Sequence, residues 1–392
     1  MDIVKIGVIG LGNMGSAHAQ TLFSGVVNGA LLVAVCDIDE QKLADFSTAH
    51  NNIATYTDYE KMILSGKIDA IIIAVPHYLH PQIAIFGFEH NMCVLTEKPA
   101  GVYTKQVRAM NEAAKVSKKP FCIMFNQRTN ELYAKAREIV KNGELGERKR
   151  LTWTITNWYR TQFYYDSGSW RGSWRGEGGG VLINQAPHNL DLWQWIFGMP
   201  KTVYAHVYEG KYHKIDVEDE ANIYAEYDDG ATAQFMTSTG EYPGTNRLEI
   251  SGSLGKIVLE NGRLTKYMLE QNERDLCFTA QNGFISPPVK TTEIMQENVE
   301  TAHLGILQNF VNHILYGEQL LSPGAEGINE LTISNAAYLS AWKNEPITLP
   351  LNEDEYYEWL QKKIQSEKLR EKNVVKDSIN HGKYNERWSV RW

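Results

Sequence analysis

The chain has 392 residues, 43% hydrophobic and 22% charged, with 39 Lys and Arg against 47 Asp and Glu for a formal net charge of −8. This is the composition of an ordinary globular protein, and at roughly 100–200 residues per domain it suits two domains. A negative charge with no dense basic block excludes the electrostatic footprint of a nucleic-acid or anionic-membrane binder, and the longest apolar runs, 30–36 and 70–76, fall far short of the ~20 residues that cross a bilayer. The strand-like start at residue 3, in place of a signal peptide, points to a cytoplasmic protein. Cys36, Cys93, Cys122 and Cys277 lack CxxC spacing and are expected as buried thiols, without a metal site.

In chain order, an apolar run from Ile3 ends in glycine, a helical pattern covers 14–23, and a second apolar run, 31–36, ends at Asp37. The alternation continues: helix at 40–50, a short strand at 54–56, helix at 59–64, a strand at 70–75, helix at 81–90, a strand at 92–96, helix at 105–117 and a strand at 121–125. Strands that alternate with helices form a parallel sheet covered on both faces, so residues 1–125 are expected to be a doubly wound α/β domain of Rossmann type. Beyond Asn126 an amphipathic helix at 132–141 gives way to short alternating segments at 150–158, 202–208, 221–227, 232–239, 246–251 and 256–260. These predict an α+β second domain, 126–345, built on a large open antiparallel sheet. Helices are expected at 302–316 and 325–342, near enough in pattern to pack back on the first domain, and a C-terminal helix and arm occupy 346–392, with a helix at 353–372. The polar tail carries Trp388 and Trp392, which suit docking on a neighbouring subunit.

Gly10-Leu11-Gly12-Asn13-Met14-Gly15 follows the first strand and opens the first helix. In that context Gly10 allows the tight turn, Gly12 lets a pyrophosphate reach the backbone, Gly15 lets helix and strand pack closely, and the helix N-terminus offers N–H donors to phosphate. Asp37 stands about 20 residues further on, where a carboxylate holds the adenosine ribose hydroxyls and repels a 2′-phosphate. The fingerprint therefore predicts NAD, with Gly10, Gly12, Asn13, Met14, Gly15 and Asp37 around it.

Glu97-Lys98-Pro99 after the fifth strand, together with that fingerprint and with Gly178-Gly179-Gly180 followed by His188 and Asp191, resembles the Gfo/Idh/MocA family of sugar and cyclitol dehydrogenases over roughly residues 3–345. The resemblance implies that Lys98 sits beside the nicotinamide and steadies the developing alkoxide, and that His188 is the general acid/base. It further implies cofactor contacts from Pro76, His77, Glu97, Lys98 and Asn126, a substrate contact from Arg128, and a loop over the cofactor at Trp170-Arg171 and Trp174-Arg175, with the glycine run giving tight approach to the cofactor. Asp191 is expected to support His188 or its helix. Where many members carry aspartate four residues before the histidine, this chain has Asn184, which orients a hydroxyl and relays no proton. Asn184, Gln185 and Tyr164 are then expected at the substrate.

Aromatics crowd 153–174, with Trp153, Trp158, Tyr159, Phe163, Tyr164, Tyr165, Trp170 and Trp174 interleaved by Arg160, Gln162 and Asp166, a composition that suits stacking on a sugar ring. The expected function is NAD-dependent oxidation of a secondary ring hydroxyl of a sugar or glycoside, with carbon 3 of a glucoside preferred. Inositol oxidation, redox-neutral NAD-dependent glycoside hydrolysis and a non-catalytic NAD-binding sensor are the alternatives. The partner is a small carbohydrate, and a homodimer or homotetramer is implied through the open sheet.

Overall fold

The computed structural model describes residues 2–368, so the expectation for Trp388 and Trp392 lies outside the described residues. The first half alternates as the pattern requires: β1 (Val4–Ile9), α1 (Asn13–Phe23), β2 (Ala30–Cys36), α2 (Glu40–Ala49), β3 (Ala54–Tyr56), α3 (Tyr59–Leu64), β4 (Ala70–Ile73), α4 (His80–Glu89), β5 (Cys93–Thr96), α5 (Thr104–Ser117) and β6 (Phe121–Ile123). Local chemistry sets the boundaries. Asp39 and Asp58 cap α2 and α3 by accepting N–H groups from their first turns, and Lys118 ends α5 in a left-handed conformation. The six strands are parallel in the order β3-β2-β1-β4-β5-β6, which places a crevice at the carboxyl ends of β1 and β4, where the strand order reverses.

The second half contains α6 (Glu131–Lys141), β7 (Arg148–Ile155), α7 (Gln162–Asp166), α8 (Val181–Asn184) and α9 (Pro187–Phe197), then β8 (Thr202–Glu209), β9 (Glu218–Glu226), β10 (Thr232–Ser238), β11 (Asn246–Gly252), β12 (Gly255–Glu260) and β13 (Arg263–Leu269). It closes with α10 (Glu273–Thr279), β14 (Val289–Met295), α11 (Ala302–Tyr316), α12 (Gly327–Lys343), β15 (Ile347–Thr348) and α13 (Glu353–Ser366). The nine strands run β14-β13-β12-β11-β7-β10-β9-β8-β15. The sheet is mixed rather than antiparallel, because β7 and β10 pair in parallel. Long excursions through α7, α8, α9, β8 and β9 separate those two strands, which frees them from the hairpin rule that makes neighbours antiparallel. Strand β14 carried no alternation to read, since six of its seven residues are exposed.

Burial alternates along the central strands. Ala70 and Ile72 face one core with Ala19 and Leu22 of α1, while Ile71 and Ile73 face the other with Ile83, Val107 and Met110. Ile306, Leu307, Phe310 and Val311 of α11 complete the first of these cores, so a helix from far along the chain covers one face of the first sheet. The second core continues through α12 to the nine-stranded sheet, whose Trp153, Ala205 and Phe235 are buried against α6, α9 and α12. The opposite face is open, and Thr152, Thr154, Tyr204, His206, Tyr224 and Met236 line a shallow depression on it. Among the described residues no helix is long and apolar enough to cross a membrane.

Candidate active site

The glycine fingerprint occupies the crevice. Gly10 has φ +92°, and a Cβ there would stand 2.3 Å from the Ala74 carbonyl oxygen, so only glycine fits between β1 and β4. At Gly15 a Cβ would reach 1.7 Å from the Gly10 oxygen, which is the close helix–strand contact expected of it. Gly12 differs from both: nothing lies within 4 Å of its Cβ position. That emptiness, beside a helix whose N-cap supplies no side-chain acceptor to its first turn, is the cradle a pyrophosphate needs. Asn13 and Met14 form the first turn of α1 above it.

Asp37, at the end of β2, accepts the Leu11 N–H at 2.6 Å and the Asp39 N–H at 2.9 Å, which ties the glycine loop to the next strand. Its carboxylate stands at the crevice lip, and capping of α2 falls to Asp39. The residues present therefore fit an adenine dinucleotide without a 2′-phosphate.

Beyond the carboxyl end of β5, Glu97 is buried and receives His18 Nε2 at 2.7 Å. Burial pushes its pKa up, but the His18 hydrogen bond and the nearby cationic groups outweigh that and hold it below the usual carboxylate value. Lys98 comes next, joined to Pro99 by a cis bond, and donates from Nζ to the Asn184 carbonyl at 2.7 Å. Burial lowers the Lys98 pKa, and the carboxyls of Glu97 and Glu330 act against that shift.

His188 lies in the first turn of α9, 7% exposed, with Nδ1 facing no hydrogen-bond partner. Burial and then the Lys98 charge drive its pKa well below the ordinary imidazole value, so at neutral pH it is an uncharged base beside an ammonium.

A second layer fixes the amides. The Asn184 side-chain nitrogen donates to Tyr164 Oη at 3.1 Å and to Glu177 Oε1, while Gln185 Nε2 and Arg171 Nη1 also donate to Tyr164 Oη. Because a carboxylate only accepts, Glu177 determines which way the Asn184 amide points and leaves Oδ1 as its free acceptor. Glu177 also accepts the Gly172 N–H at 2.6 Å, and its carbonyl meets His77 Nδ1 at 3.0 Å. His77 packs edge-on to Trp170, and the Arg171 guanidinium lies 4.3 Å from the Tyr164 ring centre. The segment that carries Trp170 and Arg171 thus lies against the turn after β4, where Pro76 is exposed and His77 buried.

Four expectations are corrected. Arg128 is committed elsewhere: it donates to both Asp191 oxygens at 2.6 and 2.8 Å, to Glu326 at 2.6 Å and to the Leu321 carbonyl, which makes it a buried clamp among α9, α12 and the 126–129 turn. Asp191 serves that clamp and accepts from Gln194 at 2.9 Å. The glycine run approaches protein rather than cofactor, since Cβ atoms at Gly178, Gly179 and Gly180 would meet Val102, Tyr338 and the Glu218 carbonyl at 2.3, 2.3 and 1.8 Å. Of the aromatic segment, Trp153, Tyr165 and Trp174 are core residues, Trp174 against Tyr338 and Trp342, which leaves Trp158, Tyr159, Phe163, Tyr164 and Trp170 partly accessible. Cys277 is exposed, unlike the other three cysteines.

Asn126 is buried in the turn after β6, its carbonyl accepting the Thr129 hydroxyl at 2.8 Å. His18, Glu177, His303 and Glu330 were not singled out from the sequence. Glu177 had a readable signal, a charged residue next to a glycine run, whereas the others sit inside helices and acquire meaning only through packing.

Residues 4–125 match the oxidoreductase family with the NAD-binding Rossmann fold, and residues 133–258 match the GFO/IDH/MocA C-terminal domain. The chain belongs to the Gfo/Idh/MocA oxidoreductase family. As a member it is an NAD-dependent oxidoreductase. It is 24% identical over 351 residues to the myo-inositol 2-dehydrogenase of Thermotoga maritima, covering 88% of this chain and 98% of the relative. It is 24% identical over 359 residues to the D-glucoside 3-dehydrogenase of Escherichia coli, covering 86% and 95%. Among solved structures, the WlbA dehydrogenase of Bordetella pertussis with NADH and UDP-GlcNAcA has a TM-score of 0.76 at 24% identity, covering 89% of this chain and all of that one. Levoglucosan dehydrogenase with NADH and levoglucosan has a TM-score of 0.74 at 20% identity, covering 89% of this chain and 100% of that one. These likenesses show the shared fold.

Proposed function

We propose that this Gfo/Idh/MocA protein oxidises a secondary ring hydroxyl of a sugar, glycoside or cyclitol to a ketone, with carbon 3 of a glucoside as the preferred position and inositol as the alternative. The observation that carries the reading is the convergence of Lys98, Asn184 and His188, an ammonium held 2.7 Å from the backbone of Asn184, four residues before an uncharged, buried imidazole. The relatives that are named inositol 2-dehydrogenase and D-glucoside 3-dehydrogenase support the substrate class.

Gly10, Gly12, Gly15 and Asp37 would hold the dinucleotide, and bound NAD supplies the hydride acceptor. Lys98 polarises the substrate oxygen through the protons that Asn184 leaves unused. His188, neutral because burial disfavours its charged form, takes the hydroxyl proton. Asn184 Oδ1, directed by Glu177, accepts a neighbouring ring hydroxyl. Tyr164 Oη already receives three N–H donors, so its own O–H is turned outward as a donor to substrate. Trp158, Tyr159 and Trp170 offer apolar faces to a ring. The open face of the nine-stranded sheet, with Tyr224 38% and Met236 43% exposed, is where self-association is placed, and light scattering of wild type against a charged substitution at Met236 checks it.

The test is a panel of sugars, alkyl and aryl glucosides and inositols with purified protein and excess NAD+, followed by both nicotinamide absorbance and product identity. NADH formed with one class establishes the reaction and the class together. Product without net NADH favours redox-neutral hydrolysis, and bound NAD+ with no product across the panel defeats the proposal.

A further inference from the structure

One buried acid behind the site has no part in the chemistry above. Glu330 lies in the first turn of α12, is fully buried, and neither of its carboxyl oxygens meets a hydrogen-bond partner. Its helix runs along the segment that leaves Lys98. A Cβ on Gly327 would stand 2.8 Å from the Ala100 Cβ, and Asn335 accepts the Thr104 N–H and donates to the Val102 carbonyl, each at 3.1 Å. One turn before Glu330, Glu326 binds Arg128, and the adjacent Asn329 donates to Gln194, which donates to Asp191. The charges that act on Glu330 are those of Asp191 and Lys98.

Burial, Asp191 and Lys98 set its ionisation, and the last two belong to a wider set of titratable and charged groups on the neighbouring elements. From β5 and its following turn come Glu97, paired with His18, and the Lys98 ammonium. From the 126–129 turn comes Arg128, from α9 Asp191 and His188, from the start of α12 Glu326, and from α11 His303. His188 and His303 are uncharged, burial holding the latter down to about 3. The two cations, Lys98 and Arg128, already face three carboxylates, Glu97, Asp191 and Glu326. An ionised Glu330 would add a further anion with no donor to receive it, so it is a neutral acid in the cofactor-free protein. Burial first and the Asp191 charge second push it well above the ordinary carboxylate range, with Lys98 acting in the opposite direction.

The positive charge of the NAD+ ring enters with the cofactor and disappears on hydride transfer. We propose that Glu330 holds a proton in the cofactor-free and NADH-bound protein and releases it when NAD+ binds, so that the proton count behind Lys98 follows the charge of the nicotinamide ring. This rests on the reading that Lys98 adjoins that ring. On NAD+ binding the carboxyl O–H bond breaks and one proton goes to solvent, leaving a carboxylate beside the Lys98 ammonium. In turnover the substrate C–H electron pair passes to the ring, the hydroxyl proton goes first to His188, and one proton returns to Glu330. Alcohol, NAD+ and carboxylate thereby become ketone, NADH and carboxylic acid. Glu330 touches neither substrate nor cofactor in this account and is a positioning residue for charge.

The experiment needs no substrate. NAD+ and NADH are titrated calorimetrically into the full chain at neutral pH in buffers of different ionisation enthalpy, which counts protons. About one proton per chain is expected on NAD+ binding and none on NADH binding, and E330Q is expected to bind NAD+ with the release lost. Infrared spectra give an independent reading: a protonated-carboxyl band that E330Q lacks is expected in the free wild type, to vanish with NAD+ and persist with NADH, above the constant band of buried Glu218, whose pKa burial raises to about 8. Equal release by E330Q and wild type, binding without release by wild type, or a band indifferent to NAD+ overturns the proposal alone. Failure of both nucleotides to bind overturns the cofactor assignment and this inference with it.

Discussion

Replacing Asn184 by aspartate tests how the site is constructed. The Asn184 amide nitrogen donates to Glu177 and to Tyr164, whereas an aspartate has no proton to give and sets a second carboxylate against Glu177, which is 1% exposed. A hydrogen bond to a charged acceptor is lost, worth about 1.5–3 kcal/mol. Two unit charges about 3 Å apart at an effective dielectric of about 20 repel by about 5.5 kcal/mol, a ceiling the pair avoids by retaining one proton. We expect N184D to lose about 2–4 kcal/mol of stability at neutral pH, read as a shift of the urea midpoint at unchanged m-value. The folded pair keeps a proton that free carboxyls give up near pH ~4, so the loss is nearly absent at that pH and grows as pH rises above it. Adding E177Q supplies a donor to the new carboxylate and recovers most of the loss, giving a coupling energy of similar size in a double-mutant cycle. A loss below ~1 kcal/mol at neutral pH, or one that stays flat between pH ~4 and ~8, would refute the assigned direction of the Asn184 amide.

Gly12→Ala and Gly15→Ala should part company. The first meets open space and leaves stability within ~0.5 kcal/mol while weakening NAD+ binding at least ~10-fold, and the second drives a Cβ into the Gly10 carbonyl and destabilises by about 1–3 kcal/mol or more, with equal effects on folding counting against the cradle. His188→Ala is expected to cut kcat by about 10²–10⁴ with NAD+ affinity unchanged, by single-turnover kinetics and calorimetry. Because His188 is held neutral by burial, the acid limb of the wild-type kcat/KM profile should lie well below the ~6.5 of an ordinary imidazole, and a limb at ~6.5 would contradict its buried setting. Arg128→Leu should cost about 3–5 kcal/mol by leaving Asp191 buried and unpaired, and adding Asp191→Leu should return much of it, whereas loss of substrate affinity with intact stability would restore Arg128 to the substrate.

The residues of the cofactor site were legible because their roles are local. Gly10 is required by the positive φ of the turn it occupies, Gly15 by the Gly10 carbonyl just behind it, and the apolar alternation around Ile71 and Ile73 declares a parallel, doubly covered sheet within a few residues. The same locality explains why α1, α4 and α11 begin and end within a few residues of their periodic patterns.

By itself, then, the sequence determined the α/β class, the dinucleotide crevice and the order of the motifs, since backbone dihedrals and hydrophobic period are written in neighbouring residues. Tertiary structure alone decided the partners of side chains that are distant in the chain. Arg128 is drawn to Asp191 and Glu326, Glu177 turns the Asn184 amide, the glycine run is squeezed by Val102 and Tyr338, and Glu330 comes to lie behind Lys98. A buried charge takes whatever partner the packing presents, and packing is a property of the whole folded chain. That is why Arg128 looked like a substrate ligand in the sequence and is a clamp in the fold.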